Sequence, residues 1–583
     1  MTRFRHALVF TAVAVAFADS SIVVLAVPEI VGDLEVGVGS ASWVITAYNL
    51  AVVVAGAALV AAGSRIRTGR LAAFAFAGFA LASAGCAAAG SFELLVGFRA
   101  AQGAAAALLL VAGLPLLGGR AGTRSWILAA TLGFAAGPAL GGILTELFSW
   151  RSIFAAQAPL VAAGLVAVGR REDPAASGVG PRPARAWLAD ATLGALSAAL
   201  VGALFLVVVL LVNGLGWRPL PAALVATTLP VFAWVAERAG RGVPVRPAAA
   251  VGGALVAAGL ATLGLLPGPR TSLIVAGLAL CGAGLGLAAQ PLGRLALAGE
   301  QLTREAAWTV VARHAGLVVA LVVVTPVLVY SLTELETDAE AVGGDLVLEA
   351  PLPLSEKVPL LIDLARATED VEADVPDLRA VFEPHETGEG VVTRLGEELT
   401  DVLHELVTRA FRDPFLACAG FGVLAAVLAI GFGRTPGRVG AHAVAFVALG
   451  LAGATAALTA EFGLGALDDP ARAAEPCRAR PVVQGSGVDA TTQRVALHAL
   501  ASAACDLGTS RSTILRELAS SEPLPWPRER LADALQDGLV DAVDAEEKAG
   551  RIGGVLAFVL RAAARNAPVD WILDRLGVPA EER

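Results

Sequence analysis

The fold of this chain is most constrained by a series of apolar runs, each about as long as a membrane-spanning helix. A helix needs roughly 20 mostly apolar residues to cross the hydrocarbon core, because every backbone polar group must be bonded within the segment. Thirteen such runs cover 7–27, 42–62, 71–89, 92–117, 126–147, 153–168, 193–212, 220–235, 249–266, 273–289, 308–330, 415–432 and 441–458. They predict an all-α integral membrane protein.

The arginines orient these runs. With the N-terminus in the cytoplasm, 18 arginines fall at inner ends and inner loops, and three (Arg151, Arg218 and Arg270) fall in outer loops. Short cytoplasmic loops carry an excess of Lys and Arg, so a multi-pass protein of the cell (inner or plasma) membrane is predicted. A cleavable signal peptide is a weaker interpretation of the first run, because the apolar stretch continues past Asp19 far enough to span.

The composition excludes several classes of protein. Only 16% of the residues are charged and 56% are hydrophobic, which argues against a soluble protein, a disordered chain or a nucleic-acid binder. The chain lacks a phosphate-binding Gly-x-x-x-x-Gly-Lys pattern, a zinc-ligand spacing and a hydrolase elbow. We therefore expect no enzyme activity, no cofactor and no metal.

Two hydrophilic segments interrupt or follow the apolar runs. The insert 332–412 has a net charge of −14 and the tail 468–583 a net charge of −4, and both show helical periodicity. Counting the runs places both segments outside the cytoplasm, where Cys477 and Cys505 form either a disulfide or two free thiols. The stretch 501–518 has the look of a DNA-binding helix-turn-helix, but an acidic, external tail favours an ordinary helical hairpin and no nucleic acid.

Few ionisable residues lie within the runs. Asp19 is the single acid in the interior of a run, and Arg99, Arg313 and His314 are the basic groups at similar depth. Such charges are costly in a bilayer and mark functional sites. Burial favours a protonated carboxyl and a nearby cation favours the ionised one, so Asp19 beside Arg99 can carry a proton. A static ion pair that joins two helices is an equal alternative.

Uncharged polar residues accompany these charges. Tyr48, Asn49, Gln102, Gln157 and Gln290, together with Arg313 and His314, are candidates for lining a substrate cavity within apolar walls. Each of these polar side chains can instead make a hydrogen bond between two helices.

Three patterns in the first six runs occur in a characteristic order. Asp19 precedes a short apolar stretch closed by Pro28, an Arg-x-x-Gln-Gly pattern spans 99–103, and the small-residue series consists of Gly133, Gly137, Pro138, Gly141 and Gly142. Together they resemble the major facilitator superfamily, and most closely its drug:proton antiporter branch of fourteen-span multidrug pumps. The resemblance implies two six-helix bundles, proton coupling through Asp19 and Arg99, and an antiporter-type motif in the fifth run.

The second half resembles the same family more loosely. Glu237, Arg238, Gly240 and Arg241 resemble a cytoplasmic gating motif that usually begins with Asp, and His314 stands where Gln is usual. The corresponding first-half loop, 63–70, lacks its acid. The resemblance therefore puts in doubt the ion pair expected to close that gate.

We predict a two-bundle fold of six plus six helices with one extra C-terminal helix. The predicted parts are a first bundle 1–168, a cytoplasmic linker 169–190, the first five helices of the second bundle 191–331, the extracytoplasmic insert 332–412, the last core helix with the extra helix 413–467, and the tail 468–583. The predicted function is proton-coupled export of amphiphilic or cationic small molecules by a monomer. The alternative is a transport-weak scaffold whose insert and tail bind an envelope partner.

Overall fold

Every regular element among the described residues is helical in the computed structural model. The structure describes residues 3–34, 42–62, 68–168, 182–369, 390–433, 488–519 and 525–569, together with 36, 40, 382, 477 and 573. The predicted thirteenth span (441–458) and residues 63–67 of the first gating loop lie outside these residues.

The α-helices are numbered in chain order. They are α1 Arg3–Ala18, α2 Val27–Leu34, α3 Trp43–Ala62, α4 Thr68–Ala87, α5 Phe92–Leu116, α6 Thr123–Leu147, α7 Trp150–Ala162, α8 Ala184–Val209, α9 Pro219–Ala226, α10 Thr228–Ala239, α11 Val245–Gly264, α12 Thr271–Ala296, α13 Leu302–Glu349, α14 Leu354–Glu369, α15 Val391–Ala410, α16 Arg412–Leu428, α17 Val488–Leu507, α18 Arg511–Ala519, α19 Arg528–Lys548 and α20 Gly554–Arg565.

The chain divides into two compact units. We call Met1–Ser331 with Thr408–Gly465 the membrane unit, and Leu332–Val407 with Ala466–Arg583 the hydrophilic unit. Within the described residues, ten helical stretches are long and apolar enough to cross a membrane, and the apolar part of α4, Leu71–Ala87, is a shorter candidate. The predicted all-α membrane fold is confirmed.

The first apolar run is not one continuous helix, as the sequence suggested. α1 ends at Ala18, the chain turns through 19–23, and a 3-10 turn covers Val24–Ala26 before α2 begins. The side chain of Asp19 lies at this break. Its main-chain oxygen accepts a hydrogen bond from Arg99 at 3.2 Å, so a side chain replaces part of the helical bonding.

Two further boundaries differ from the predicted ones. The run at 220–235 divides into α9 and α10 at Thr227, because Pro230 has no N–H to donate to the carbonyl four residues before it. α13 continues to Glu349, beyond the predicted start of the insert. The hydrophilic part of this helix is rich in Leu, Glu and Ala, which favour a helix as strongly there as in the apolar part.

Small residues set the spacing of helices in the membrane unit. A Cβ atom added to Gly282 of α12 would lie 2.3 Å from the carbonyl oxygen of Leu229, and one added to Gly286 would lie 2.0 Å from that of Ala233. These glycines let α12 and α10 approach at backbone contact, which is how helices associate where lipid removes the hydrophobic driving force.

The acids of α2 bind the start of α7. A carboxylate oxygen of Glu29 accepts the backbone N–H of Trp150 at 2.9 Å, and Asp33 accepts the indole N–H of the same residue at 3.1 Å. The first-turn N–H groups of a helix have no partner within the helix, so Glu29 satisfies one of them, and the negative charge of both carboxylates stabilises that end.

The hydrophilic unit has its own apolar core, formed largely by α17, α18 and α19. α17 and α18 form a helical hairpin around Gly508, whose φ of +68° suits glycine. Cys477 and Cys505 form a disulfide, with their Cα atoms 4.6 Å apart. The buried ammonium of Lys357 donates a hydrogen bond to the carbonyl oxygen of Leu348 at 2.5 Å.

Candidate functional site

The two charges at the centre of the first half of the membrane unit (α1–α7) are paired and completely buried. Arg99 Nη1 forms an ion pair and hydrogen bond with Asp19 Oδ2, and neither side chain is exposed. Arg99 lies two turns into α5, and Asp19 lies at the break that follows α1. A buried ion pair needs further hydrogen bonds to offset the loss of water from both charges.

Two glutamines supply those bonds and close a ring. Arg99 Nη1 donates to Gln102 Oε1 at 2.7 Å, Gln102 Nε2 donates to Gln157 Oε1 at 2.9 Å, and Gln157 Nε2 donates to Asp19 Oδ1 at 2.6 Å. Both carboxylate oxygens of Asp19 therefore accept bonds, as suits the ionised form. Three segments meet in this polar ring: the chain break after α1, α5 and α7.

Aromatic rings and backbone carbonyls fix the guanidinium of Arg99. Its Cζ lies 4.5 Å from the ring centroid of Tyr48 and 5.5 Å from that of Phe154. Its Nε donates to the carbonyl oxygen of Val44 at 2.8 Å. Cation–π contacts are strong where water is excluded, so Arg99 is held in one orientation.

The glycine after Gln102 has a packing role. A Cβ atom at Gly103 would lie 2.2 Å from the carbonyl oxygen of Tyr48. The Arg-x-x-Gln-Gly pattern thus places two polar side chains in the ring and brings α5 against α3. Tyr48 itself donates its hydroxyl to the carbonyl oxygen of Ala16 at 2.6 Å.

The small-residue series of α6 lies directly against α1 and the chain break after it. Added Cβ atoms at Gly133, Gly137 and Gly141 would meet Ala14 O at 2.3 Å, Ser21 Oγ at 2.2 Å and Ile22 O at 1.8 Å, respectively. A Cβ atom at the neighbouring Gly142 would lie 2.7 Å from that of Ala223 in α9 and also 2.7 Å from Cδ1 of Leu25, in the 3-10 turn before α2. The motif thus joins the Asp19 segment to the second half (α8–α13 and α16).

Pro138 explains one further contact of this segment. Because proline has no N–H, the carbonyl oxygen of Phe134, four residues earlier, loses its helical donor. The hydroxyl of Ser21 donates to that oxygen at 2.7 Å. The proline of α6 and the serine of the chain break after α1 therefore form a complementary pair.

A hydrogen bond also joins the two halves beside the ring. Nδ1 of His314 lies 2.9 Å from Oδ1 of Asn49, with both side chains buried. The imidazole stacks at 6.1 Å on Phe17 and lies 6.4 Å from the ring of Tyr48. Its Nε2 is buried without a hydrogen-bond partner.

The remaining candidate cavity residues lie elsewhere. Arg313 is buried, lies 4.9 Å above the ring of Phe17, and lines a cavity between α6 and the second half. Gln290 is apart from the ring and donates to the carbonyl oxygen of Arg124 at 3.2 Å. Sequence alone thus grouped residues that the structure places in three locations.

Ion pairs join the halves at both ends of the helices. Glu237 Oε1 pairs with Arg124 Nη2 at 3.0 Å at the start of α6, and Glu146 pairs with Arg218 near its end. The gating motif is compact around Glu237. Arg241 lies 3.5 Å from Oε2 of that carboxylate, Arg238 stacks on Trp234, and a Cβ atom at Gly240 would lie 2.5 Å from Leu287.

A second buried ion cluster lies near the start of α8. Arg182 pairs with Asp190 and Glu305 between the rings of Trp187 and Trp308. Asp190 is the last residue of the predicted cytoplasmic linker, but its side chain is buried. The reason is that Arg182, which we had assigned to a loop, folds onto it.

Metal-ligating side chains do not cluster within the described ranges: no group of three or more His, Cys, Asp or Glu residues there is placed to hold a metal ion.

A family comparison matches these observations. Residues 9–323, more than half of the chain, match the family model described as Major Facilitator Superfamily. The chain belongs to the major facilitator superfamily.

Two curated relatives within the superfamily are similar over part of their length. The multidrug efflux pump LfrA of Mycolicibacterium smegmatis is 32% identical over 173 residues, which are 28% of this chain and 34% of that protein. The methylenomycin A resistance protein of Bacillus subtilis is 32% identical over 233 residues, 38% of this chain and 47% of that protein. The chain thus spans about a third to a half of these relatives, which agree with the resemblance to drug efflux transporters.

A solved structure was also matched. A bacterial homologue of the human lysosomal transporter Spinster, inward-facing and unoccupied, aligns with a TM-score of 0.46 and 14% identity, covering 75% of this chain and all of that one.

Three residues of the candidate site were not predicted from the sequence. Ser83 accepts a hydrogen bond from Gln102 at 2.8 Å, Ser21 caps the orphaned carbonyl of Phe134, and Arg124 pairs with the gating acid. Ser21 lies two residues after Asp19, and that proximity was the available signal. A lone serine in an apolar run, such as Ser83, gives none.

Proposed function

We propose that this protein is a proton-coupled secondary transporter that exports amphiphilic small molecules across the plasma membrane, working as a monomer by alternating access. Asp19 carries the proton, and Arg99 sets the balance between its two protonation states. The observation that carries the proposal is the closed ring of Asp19, Arg99, Gln102 and Gln157. In this ring the buried carboxylate of Asp19 accepts hydrogen bonds from Arg99 and Gln157, and the strength of both bonds depends on the charge of the carboxylate.

Protonation of Asp19 changes the ring directly. A neutral carboxyl no longer offers Arg99 a full counter-charge, and one of its oxygens becomes a donor where two donors now face it. The bond that the protonated oxygen accepts from Arg99 or Gln157 is then weakened, because a neutral hydroxyl oxygen is a poorer acceptor than a carboxylate oxygen. The ring therefore has two arrangements, one for each protonation state.

α6 is suited to transmit that change between the halves. Its glycines and the Phe134 carbonyl contact the Asp19 segment, while Gly142 faces α9 and Arg124 pairs with Glu237 of α10. A shift of the Asp19 segment would therefore displace α6, and α6 contacts the second half near both of its ends. Rocking of two bundles about a central site is how such folds alternate their access.

The direction and location rest on similarity and on charge. LfrA is by its name an efflux pump, and the antiporter-type motif favours export. The arginine distribution favours a cytoplasmic N-terminus, with the insert and the tail outside, where they are free to bind an envelope partner. We carry the scaffold function no further, because no described contact favours it.

Transport in liposomes tests the proposal. Purified full-length protein is reconstituted, a pH gradient is imposed, and movement of an anionic fluorescent amphiphile (anilinonaphthalene sulfonate) and a cationic one (ethidium) is recorded. We expect proton-driven movement of at least one dye, and its loss in Asp19→Asn. Glu93→Gln removes an exposed acid at the start of α5 and should leave transport intact. Unchanged proton-driven transport by Asp19→Asn would refute the mechanism.

A further inference from the structure

We propose that the cavity beside Arg313 binds the anionic headgroup of the cargo, a carboxylate, sulfonate or phosphate on an apolar body. This inference rests on the proposed transport function and specifies its substrate class. It also selects among the cargoes that the sequence left open, because it disfavours a cationic one.

The first observation is the isolation of a buried charge. Arg313 is 8% exposed, and its described contacts are a long hydrogen bond of 3.4 Å to the carbonyl oxygen of Ala130 and the ring of Phe17 at 4.9 Å. No carboxylate of the described residues forms an ion pair with it. A buried guanidinium needs a counter-charge or a full set of acceptors.

The other buried arginines show what is missing. Arg99, Arg494 and Arg511 are likewise buried, and each binds a carboxylate, of Asp19, Glu546 and Asp345 respectively. In the described part of the chain, Arg313 is the exception. We infer that its counter-charge is supplied from outside the chain.

The second observation is the place where Arg313 lies. It lines a cavity between α6 of the first half and α8, α12 and α13 of the second, whose walls are mostly apolar. The lining includes Trp126, Ile127, Leu196, Ser197 and Ala289. One cation among apolar walls complements a molecule with one anionic group and an apolar body.

The cavity is narrow in this structure. Ion pairs join the halves at both ends, and the cavity has room for about one water molecule. Rocking of the halves would widen it, because its walls come from both. The cargo would then reach Arg313 from whichever side is open.

Neighbouring acids leave the charge of Arg313 uncompensated. Thr309 also lines the cavity, but its hydroxyl donates to Asp190 Oδ1 at 2.9 Å. Asp190 and Glu305 are held by Arg182. The next residue along α13, His314, also has a buried nitrogen without a hydrogen-bond partner.

A cationic cargo fits this site poorly. Like charges repel strongly where water is excluded, whereas an oxyanion pairs with a guanidinium through two parallel hydrogen bonds. The competing explanation is that Arg313 only joins the halves through Ala130 and Phe17. In that case anions and cations would bind equally well.

Binding to the full-length protein in phosphatidylcholine nanodiscs separates these explanations. Equilibrium dialysis compares radiolabelled dodecyl phosphate with dodecyltrimethylammonium, which has the same chain and the opposite charge, against empty nanodiscs. Separate arms add inorganic phosphate, or nanodiscs containing phosphatidylglycerol, as competitor. We expect saturable binding of dodecyl phosphate at least about tenfold tighter than that of the ammonium. Competition by phosphatidylglycerol alone identifies a lipid source, and competition by inorganic phosphate identifies a free oxyanion.

Variants then assign the charge to Arg313. Arg313→Gln should weaken dodecyl phosphate binding about tenfold, Arg313→Lys should retain most of it, and Arg270→Gln, an exposed outer-loop change, should have no effect. Equal or tighter binding of the ammonium by the wild-type protein overturns the inference even if no variant folds. So does unchanged phosphate binding by a folded Arg313→Gln.

Failure here is distinguishable from failure of the proposed function. Proton-driven transport of ethidium that depends on Asp19, without any binding of dodecyl phosphate, would leave the transporter intact and refute the anionic cargo. Binding of dodecyl phosphate without proton-driven transport would support the anionic site and refute the proposed transport function.

Discussion

The hydroxyl of Ser21 donates a hydrogen bond at 2.7 Å to the carbonyl oxygen of Phe134. That oxygen needs a donor because Pro138 cannot supply one, and Ser21 lies two residues after the proposed proton carrier. The chain break at Asp19 and the proline of α6 are thus parts of one contact.

Ser21→Ala should lower the free energy of unfolding by about 1 kcal/mol, because it leaves a buried carbonyl without a donor. Pro138→Ala restores an N–H in that position, so the double variant should recover most of the loss. Ser20→Ala is the matched control, since the Ser20 hydroxyl is buried without a partner. Thermal unfolding in detergent measures all four proteins. A double variant less stable than Ser21→Ala would contradict the pairing.

Gln102→Leu should abolish proton coupling, because it removes the link between Arg99 and Gln157. It leaves Oε1 of Gln157 without its donor and Nη1 of Arg99 with one acceptor fewer. Gln290→Leu should leave coupling intact, since Gln290 lies outside the ring and its Oε1 has no partner. Substrate-driven proton flux in liposomes reports both. Equal loss in the two variants would show that general packing, rather than the ring, is responsible.

The ion pairs at the two ends of α6 should have opposite effects on access to the cavity. Glu237→Gln removes the partner of Arg124, and Glu146→Gln removes that of Arg218. Each pair contributes about 1 kcal/mol, which corresponds to about a fivefold shift in population. Ser197→Cys places a thiol on the cavity wall. In each Gln variant, this thiol should react faster with an impermeant thiol reagent applied from the side whose ion pair is removed. Labelling that does not depend on the side would exclude both pairs as gates.

Reduction of the disulfide should destabilise the hydrophilic unit. The bond joins residues 28 apart in sequence, and closing a loop of that length stabilises a fold by about 3.5 kcal/mol. The same cysteines report orientation, because Cys86, Cys281 and Cys418 are buried. An impermeant thiol reagent applied to intact cells should label the protein only after reduction. Labelling only after lysis would place the tail in the cytoplasm.

The hydrophilic unit should become more stable as the pH rises from about 8 to 10.5. Burial lowers the pKa of Lys357 from 10.5 to about 8, and the nearby Arg511 acts in the same direction. Between these values the unfolded chain binds more protons than the folded one, so stability increases with pH, by up to about 1.4 kcal/mol per pH unit. Lys357→Met should lack this dependence. The difference in melting temperature between variant and wild type should therefore shrink from pH 7.5 to pH 10.

The sequence predicted the charged residues of the site, whose burial costs free energy unless they are paired. Asp19 and Arg99 had to find partners in a bilayer, and Gln102 follows from its position one turn beyond Arg99. It did not distinguish Gln157, which closes the ring, from Gln290, which lies apart, because an amide in an apolar run has the same signature in both places. Ser83 was missed for a related reason. Helices rich in Ala and Gly show no polar face, so periodicity cannot show which way a side chain points.

The predicted boundary of the first helix was wrong where a side chain replaces backbone hydrogen bonds. The break after Ala18 lies within the first apolar run, at the polar residues Asp19, Ser20 and Ser21, and hydropathy averaged over the run predicts a continuous helix there. The carboxylate and main-chain oxygen of Asp19 are bound by a residue 80 positions away. No local pattern in the sequence records that contact.

The burial of Lys357 makes the chain convenient to probe chemically. Its only other lysine, Lys548, is exposed at the end of α19. An amine-reactive dye should therefore modify one lysine in the folded protein and a second once α14 loosens. The stoichiometry of labelling, read by mass spectrometry, would then report local opening of the hydrophilic unit without any engineered residue.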